Sequence, residues 1–247
     1  MKRTLCFLIF FILLCGCTTY PKEKTKYDPL AAIKSSAPLT TQNSSVQNYS
    51  IEQVSVKSEP PNVQKPPDPL TISALKIGSD TAPVVIVEFA DFQCVYCNEF
   101  HRDTYPLLKK EYIDSGNVQF IYHDYPLSIH IHAGTAALFS RCAQEQGKWE
   151  PAYNLLFEKQ DEWAREGAVK LRSYALVLGL NTAKFNSCFD AHTYQNDINA
   201  DFSLGAHAGL QGTPTFFIGK REGPLYKVVG AQPYENVKSV IDQVLSG

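Results

Sequence analysis

Apolar residues change their spacing over residues 84–112, and this change predicts a strand followed by a helix. Four consecutive β-branched residues, 84–87, suit a strand that is covered on both faces. From Asn98 onward the spacing becomes helical. One face of this helix would hold Phe100, Leu107 or Leu108, and Tyr112. Gly116 fits the end of the helix, and Pro106 inside it predicts a kink.

The remaining strand patterns complete a mixed sheet. Residues 118–122 are predicted to form the second strand, and the helix before it makes this strand parallel to the first. Residues 215–218 and 225–229 predict a hairpin, and residues 70–77 an edge strand. A closing helix begins near Pro233. Its apolar face would hold Val237, Val240, Ile241 and Val244.

Between the second and third strands, residues 129–210 carry apolar positions at helical spacing with glycines and capping residues between them. The predicted helices lie between 133 and 147, over 149–157 and over 168–178. Asn181 or Thr182 is the predicted N-cap of the next helix, and Thr193 that of the last, which ends near Gly209. This segment is therefore expected to be helical throughout.

The N-terminus has the pattern of an export signal. Lys2 and Arg3 precede an apolar run over residues 5–14, which is too short to cross a bilayer comfortably. The tetrapeptide Leu-Cys-Gly-Cys that ends at Cys17 resembles a lipobox, the signal for bacterial lipoprotein maturation. The resemblance implies removal of residues 1–16 and lipidation of Cys17, which would anchor the protein in a membrane. An ordinary signal peptide cleaved nearby is the alternative.

Composition predicts a disordered linker over residues 17–69, which are rich in Ser, Thr, Gln, Asn, Lys and Pro. Few large apolar residues interrupt this segment, so it cannot bury enough surface to offset the entropy of ordering. An oligomerisation stalk is the alternative, but no sustained helical period supports it. The whole chain has 247 residues and a net charge of −2, without the basic excess that nucleic-acid binding requires.

The turn after the first strand carries Cys94-Val95-Tyr96-Cys97, and its position predicts redox chemistry. Cys94 is expected at the first turn of the helix, where backbone N–H groups favour the thiolate that acts in disulfide exchange. Cys94 is expected to be the exposed thiol of the pair, and Cys97, buried one turn later, can attack a mixed disulfide formed on Cys94. Half of a zinc site has the same spacing, but no second ligand pair follows, so no metal is expected. An inert structural pair is the third possibility.

Three stretches together resemble the DsbA-like thiol:disulfide oxidoreductases of the thioredoxin superfamily. They are residues 88–97, residues 122–127 (Tyr-His-Asp-Tyr-Pro-Leu) and residues 212–218 (Gly-Thr-Pro-Thr-Phe-Phe-Ile). The resemblance implies an α/β thioredoxin fold with an inserted all-helical domain. Residues 70–128 and 211–247 would form the thioredoxin domain, and residues 129–210 the insertion. No cofactor is implied beyond the redox-active Cys94–Cys97 disulfide.

The same resemblance implies roles for residues outside the cysteine pair. Glu88 matches a buried acid beneath the Cys-x-x-Cys motif, where a carboxyl group can pass a proton to or from Cys97. A solvent-facing glutamate on an edge strand is the alternative. A cis-proline loop would hold a substrate strand against the cysteine pair. The residues expected to contact substrate are Val95, Tyr96, Thr213 and Pro214.

Two cysteines have no other assignment. The chain has seven, of which Cys6 and Cys15 belong to the signal peptide, Cys17 takes the lipid, and Cys94 and Cys97 are the redox pair. The remaining two are Cys142 and Cys188, both in the helical segment. Disulfides persist in exported proteins, so a structural bond between them is expected. Two buried free thiols are the alternative.

The expected function is that of an exported, lipid-anchored oxidoreductase that introduces disulfides into exported proteins. Its partners would be reduced or misoxidised exported proteins and a quinone-linked membrane reoxidant similar to DsbB or to VKOR-like proteins. It would lie in the periplasm or on the extracytoplasmic face. Thr18, in place of Asp after Cys17, favours the outer membrane in a diderm organism.

Two other functions remain open. An isomerase or reductase, kept reduced by a DsbD-like partner, would use the same residues. A peptide-binding chaperone or a copper-binding protein is a third hypothesis. Copper sites favour Met and His ligands, and the only methionine is Met1, which disfavours the copper reading.

One dipeptide departs from the strongest oxidases, which carry Pro-His between the two cysteines. Here the dipeptide is Val95-Tyr96, and a neutral phenol supplies no positive charge to a thiolate. The pKa of Cys94 is therefore expected below the free value of about 8.5 and above the roughly 3.5 of DsbA.

The histidines form no convincing ligand set in the sequence. They are His101, His123, His130, His132, His192 and His207. All six are expected at the surface or at domain boundaries.

Overall fold

The computed structural model describes residues 52–53 and 75–247. Its strands are β1 Glu52–Gln53, β2 Lys76–Ile77, β3 Val84–Ala90, β4 Val118–Asp124, β5 Thr215–Lys220 and β6 Leu225–Val229. Its helices are α1 Val95–Asp103, α2 Tyr105–Leu108, α3 Ala133–Gln144, α4 Trp149–Glu158, α5 Gln160–Glu166, α6 Ala168–Val177, α7 Thr182–Asp190, α8 Gln195–His207 and α9 Tyr234–Ser246. A π-helical turn, Lys109–Ile113, follows α2. The predicted signal peptide and Cys17 lie outside the described residues.

The six strands form one mixed sheet in the order β1-β6-β5-β3-β4-β2. β3 pairs parallel with β4 and antiparallel with β5, and β5 pairs antiparallel with β6. β2 pairs antiparallel with β4 at one edge. The parallel pair, the hairpin and the edge strand are those predicted from the sequence. The fold is a thioredoxin-type sheet with the helices α3 to α8 inserted after β4.

Both faces of β3 are covered, as its β-branched sequence predicts. Because side chains alternate along a strand, Val84 and Ile86 face one layer, and Val85 and Val87 the other. The first layer belongs to a large apolar cluster that also takes in side chains of α1, α3, α4 and α9. The second layer packs with Leu204 of α8 and other residues in a smaller cluster. β3 is therefore the buried centre of the molecule.

The long helix after β3 is interrupted where Pro106 predicts a kink. α1 ends at Asp103, and the chain resumes as α2 after Thr104, whose carbonyl oxygen accepts from the N–H groups of both Leu107 and Leu108. Leu108 is buried and Leu107 is 46% exposed, which settles which of the two leucines faces the core. The break allows the segment to bend back toward β4.

The insertion contains one helix that the apolar pattern does not reveal. α5 buries only Gln160 and Trp163 and is otherwise polar, so its seven residues show no helical period. The other predicted helices are present with ends shifted by a few residues.

One of the predicted helix caps is confirmed and one is wrong. Asn181 is the N-cap of α7, and its side-chain oxygen accepts a hydrogen bond from the backbone N–H of Lys184. Thr193 does not cap α8, which begins one residue further on, after Tyr194. The Thr193 hydroxyl instead donates to the Cys188 carbonyl oxygen at 3.2 Å, at the end of the preceding helix.

The sequence predicts a disordered linker over residues 17–69. This prediction is wrong for residues 52–53, the part of the segment that the structure describes, because they form the short strand β1. β1 pairs antiparallel with β6, with Glu52 opposite Lys227 and Gln53 opposite Tyr226. A strand at the edge of a sheet leaves backbone N–H and C=O groups unpaired. Pairing with β1 covers part of this edge on β6.

A disulfide joins Cys142 of α3 to Cys188 of α7, with Cα atoms 5.8 Å apart. This is the pairing expected from the sequence. It links two helices of the insertion across 46 positions of the chain.

Replacing both of these cysteines with alanine should lower the free energy of unfolding by about 2–4 kcal/mol, because a closed loop restricts the unfolded chain. Urea denaturation of the oxidised protein and of the double variant measures the difference. Equal midpoints and slopes for the two proteins would contradict the prediction.

Candidate active site

The active-site turn places Cys94 at the N-cap of α1 and Cys97 one turn later. The Cys94 N–H donates to the Asp91 carbonyl oxygen at 3.0 Å, and the Cys94 carbonyl oxygen accepts from the Asn98 N–H at 3.1 Å. The Cys94 sulfur lies 3.4 Å from the Thr213 carbonyl oxygen, and the Thr213–Pro214 peptide bond is cis. Two stretches 119 residues apart in the sequence therefore meet at one sulfur atom.

The pKa of Cys94 is lowered from its ordinary value of 9.0 to about 6. The largest cause is a hydrogen bond from the Cys97 thiol to the Cys94 sulfur, and burial opposes it. The Thr213 side chain and the backbone N–H groups of Cys97 and Tyr96 lower the pKa further. The value lies within the range expected from a helix N-terminus without a positively charged neighbour.

Cys97 has the opposite character. Its pKa is raised well above 9.0, first because the thiol is completely buried and then because it donates its hydrogen bond to Cys94. The negative charges of Cys94 and of ionised Glu88 raise it further. One sulfur of the pair is thus stable as a thiolate near neutral pH, and the other is stable as a thiol.

Cys94 is less accessible than its place in the motif suggests. The sequence predicts an exposed thiol, but Cys94 is only 5% exposed, against 0% for Cys97. The prediction is wrong in degree because the Thr213 loop lies directly against the sulfur. The exposed groups are its neighbours Val95 and Tyr96, at 67% and 60%.

The four residues expected to contact substrate form two sets. Val95 and Tyr96 project into solvent beside Cys94, whereas Thr213 and Pro214 are buried next to its sulfur. The Thr213 hydroxyl oxygen has no hydrogen-bond partner among the described residues. The Thr213 side chain lowers the Cys94 pKa, since a hydroxyl hydrogen bond stabilises a thiolate more than a thiol.

Glu88 is fully buried in the middle of β3. Tyr153 donates a hydrogen bond to Glu88 Oε2 at 3.3 Å, and Oε1 has no partner within the described part of the chain. Burial raises the pKa of Glu88 from 4.5 to about 8, against a smaller opposing effect of the Tyr153 hydrogen bond. The solvent-facing alternative is therefore wrong: Glu88 is a buried carboxyl group, protonated near neutral pH and close enough to Cys97 to affect its pKa.

Asp91, which the sequence analysis did not single out, holds the loop before Cys94 in place. Its Oδ1 accepts from the Gln93 N–H at 2.7 Å. Its Oδ2 accepts from the Leu127 N–H at 2.8 Å and contacts His130 Nδ1 at 2.7 Å. The motif of residues 122–127 is thereby attached to the redox turn. An aspartate three residues before Cys94 was the available signal, since Asp accepts from nearby backbone N–H groups.

Gln160 is a second residue that sequence reasoning missed. It is the first residue of α5, and its amide nitrogen donates to the carbonyl oxygens of Phe92 and Cys94 at 2.7 and 3.0 Å. Its amide oxygen accepts from Asn98 Nδ2 at 3.1 Å. No local motif marks this residue, because its partners lie more than 60 positions earlier in the chain.

Buried charges attach the insertion to the sheet at the end of β4. Arg141 of α3 forms ion pairs with Asp124 and with Asp201 of α8. The other oxygen of Asp201 contacts His123 Nδ1 at 2.7 Å. Burial raises the pKa of Asp124 to about 6, and the Arg141 charge limits the rise.

The expectation that all six histidines lie at surfaces or boundaries is wrong for two of them. His123 is fully buried, paired with Asp201 and stacked on Phe89. His101 is 8% exposed, and burial lowers its pKa while its Nε2 contacts Asn154 Oδ1 at 3.0 Å. Both have distant partners that spacing alone does not disclose.

Two features are absent from the part of the chain that the structure describes. Across residues 52–53 and 75–247, no three His, Cys, Asp or Glu side chains come together as a metal site. In the same part of the chain, no helix has both the length and the apolar character needed to span a bilayer.

Comparison with known proteins agrees with this geometry. A family model described as "Thioredoxin" matches residues 71–243. "Disulfide bond formation protein D" of Bacillus subtilis is 28% identical over 181 residues, covering 69% of this chain and 77% of that protein. A "Putative protein-disulfide oxidoreductase" of Rickettsia typhi is 23% identical over 172 residues, covering 68% of this chain and 61% of its own length.

Solved structures give the same result. Wolbachia pipientis alpha-DsbA1 has a TM-score of 0.64 at 26% identity, covering 70% of this chain and 90% of that one. Oxidised BdbD from Bacillus subtilis has a TM-score of 0.62 at 26% identity, covering 70% and 93%. The chain therefore belongs to the thioredoxin family, and it is a DsbA-like thiol:disulfide oxidoreductase.

Proposed function

We propose that this oxidoreductase works in the oxidising direction, transferring the Cys94–Cys97 disulfide to reduced exported proteins. The observation that carries the proposal is that the pKa values of the two thiols are shifted in opposite directions. Cys94 has a pKa of about 6, and the pKa of Cys97 lies well above 9.0. A thiolate at Cys94 stabilises the reduced pair, and a stable reduced form makes the disulfide a stronger oxidant. The printed name of the Bacillus subtilis relative, a disulfide bond formation protein, supports the same direction.

In the first step a substrate thiolate attacks the Cys94 sulfur of the enzyme disulfide. A bond forms between the substrate sulfur and Cys94, the Cys94–Cys97 bond breaks, and Cys97 leaves as a thiolate. Because the pKa of Cys97 is high, this thiolate takes up a proton at once. Glu88, a buried acid with a pKa of about 8, is the proposed donor.

In the second step the other thiolate of the substrate attacks the substrate sulfur of the mixed disulfide. Cys94 leaves with the electron pair, and its low pKa makes it a good leaving group. The substrate has lost two electrons and its thiol protons, and the enzyme pair is a dithiol. We propose that Val95, Tyr96 and the Thr213–Pro214 loop hold the substrate chain beside Cys94 during both steps.

Turnover requires an oxidant for the dithiol. A quinone-linked membrane protein similar to DsbB or to VKOR-like proteins would accept the two electrons.

Alkylation of whole cells, after acid quenching, measures the resting redox state of Cys94 and Cys97. A mainly oxidised pair is the expected result. A mainly reduced pair would overturn the oxidase direction in favour of a reductase or isomerase supplied by a DsbD-like partner.

Replacing Glu88 with Gln should flatten the pH dependence of stability of the reduced protein. From about pH 4.5 to about pH 8, Glu88 is ionised in the unfolded chain but protonated in the folded one, so stability falls as pH rises. The variant should lose a slope of about 1.4 kcal/mol per pH unit in this window. The titration of Cys94 is common to both proteins, apart from its electrostatic interaction with Glu88, which is the smallest cause of the raised Glu88 pKa.

Urea denaturation at several pH values measures the two slopes. If the free energy of unfolding changes with pH in the same way for Glu88→Gln and for the unaltered protein, Glu88 ionises normally. That result would contradict its role as proton donor.

The proposed location is the extracytoplasmic face of a membrane, through lipid on Cys17. Cys17→Ala should move the protein from the membrane fraction to the soluble fraction, because acyl chains supply the anchoring energy at about 0.8 kcal/mol per buried CH₂. Ultracentrifugation of cells that express each form measures the partition. An unaltered protein that is already soluble would rule out the anchor. Thr18 after Cys17 supports the outer membrane in a diderm host.

A further inference from the structure

The side chain of Gln160 touches the redox turn at three points. It reaches out of α5, is only 5% exposed, and donates to the carbonyl oxygens of Phe92 and Cys94. Its own oxygen accepts from the side chain of Asn98, in α1. One amide group of the insertion thus contacts Phe92, two residues before the motif, the first cysteine and the helix that follows.

Chemistry permits only one orientation of this amide. Two of its three partners are carbonyl oxygens, which accept, and only the amide nitrogen can donate to both. Asn98 Nδ2 is a donor and faces the Gln160 oxygen at 3.1 Å. A flipped amide would place oxygen against two oxygens and nitrogen against nitrogen. The three partners therefore lock the side chain.

The Cys94 carbonyl that Gln160 holds belongs to the residue whose backbone aims the sulfur. This oxygen also accepts the first hydrogen bond of α1, from the Asn98 N–H. With φ −73° and ψ 126°, Cys94 directs its sulfur toward the N–H groups of Tyr96 and Cys97. A change in the plane of the Cys94 peptide would move the sulfur away from these donors.

We propose that Gln160 is a positioning residue for the reacting thiol, and that it makes the reactivity of Cys94 depend on the packing of α5 against the redox turn. Among the described residues, the hydrogen bonds of Gln160 go to two backbone carbonyl groups and to Asn98, not to the Cys94 sulfur. It acts through the Cys94 carbonyl, so the helical insertion takes part in setting the properties of the thiol. The inference rests on the proposed role of Cys94 as the attacked sulfur.

The test compares three variants of the reduced protein. Gln160→Met keeps the length of the side chain and removes both donors. Asn98→Ala leaves Gln160 in place but removes the contact that orients its amide. Gln146→Met is the matched control, because Gln146 also bonds backbone groups within the insertion, those of Asn181, at a distance from the cysteine pair.

The readout is the pKa of Cys94, from the ultraviolet absorbance of its thiolate, recorded beside the free energy of unfolding. Gln160→Met should raise this pKa by about half a unit or more, which lowers the thiolate population at pH 6 about twofold. Asn98→Ala should raise it by less, and the double variant should show less than the sum of the two shifts. The control should leave it unchanged.

The outcomes separate the possible failures. A loss of stability in Gln160→Met with an unchanged Cys94 pKa would mean that Gln160 only satisfies buried carbonyl groups, and the proposal would be overturned. If Gln160→Met does not fold, Asn98→Ala decides alone, and an unchanged pKa in that variant overturns the proposal. A Cys94 pKa at or above 9.0 in the unaltered protein would instead remove the proposed function.

Discussion

Cys94→Ser should abolish the oxidation of a reduced test protein, a loss of several orders of magnitude. A serine hydroxyl cannot form the disulfide that the reaction transfers, and no other described free thiol besides Cys97 is available to replace it. Cys97 is fully buried and its pKa is high, so it does not substitute as the attacked sulfur. Recovery of activity in a reduced, denatured disulfide protein measures the rate.

Cys97→Ser should give a different defect. The Cys94 thiolate can still attack a disulfide of a substrate protein, which forms a mixed disulfide and releases the other substrate sulfur as a thiolate. The attack by Cys97 that would free Cys94 is lost, so mixed disulfides should accumulate. Non-reducing gel electrophoresis detects them as adducts that a thiol reductant removes. Cys142→Ala/Cys188→Ala is the control, because it removes a disulfide but leaves the redox pair. Full oxidase activity in Cys94→Ser would refute the assignment of the pair.

Arg141→Met should destabilise the protein by about 3–5 kcal/mol at neutral pH. The substitution leaves the carboxylates of Asp124 and Asp201 buried without their cation, and an uncompensated buried charge is costly. The cost should shrink as pH falls toward about 6. Removing the Arg141 charge raises the pKa of Asp124 above its value of about 6 in the unaltered protein, so Asp124 takes up a proton first in the variant and the repulsion between the two acids disappears.

Arg172→Met provides the matched control. Arg172 also lies on a helix of the insertion and pairs with an aspartate, Asp190, but both side chains are well exposed. Exposed pairs contribute about 0–1 kcal/mol, so this variant should change little. Denaturant unfolding of both variants at neutral and acidic pH gives the comparison. Equal small losses in the two variants would show that the buried cluster adds no more than a surface pair.

The sequence predicts well those features of the fold that depend on residues close together in the chain. The β-branched run of β3, the proline inside the helix after it and the apolar face of α9 all act within a few positions of the chain. The same holds in part for Cys94, whose pKa is lowered first by the hydrogen bond from Cys97, three positions later, and then by backbone N–H groups of the same helix turn. For these elements local spacing and hydrogen-bonding chemistry carry enough information to predict the structure.

What the sequence does not predict depends on partners far away in the chain. His123 is buried because Asp201, 78 positions later, supplies its partner. Gln160 serves the redox turn from 66 positions beyond Cys94, in a helix too polar to show a period. The low exposure of Cys94 depends on Thr213 in the same way. Only the fold brings these groups together, and no pattern within one segment anticipates them.

The apolar cluster that joins the sheet to the insertion has a consequence for folding. Ile86 of β3 and Tyr153 of α4 belong to the same cluster, so neither the sheet nor the helices complete their packing alone. A chain shortened by removal of residues 129–210 would expose the aromatic face around Tyr122 to water, and the isolated insertion would expose its own. We therefore expect the two parts to unfold as a single cooperative unit, so that native-state hydrogen exchange in β3 and α4 reports the same opening free energy.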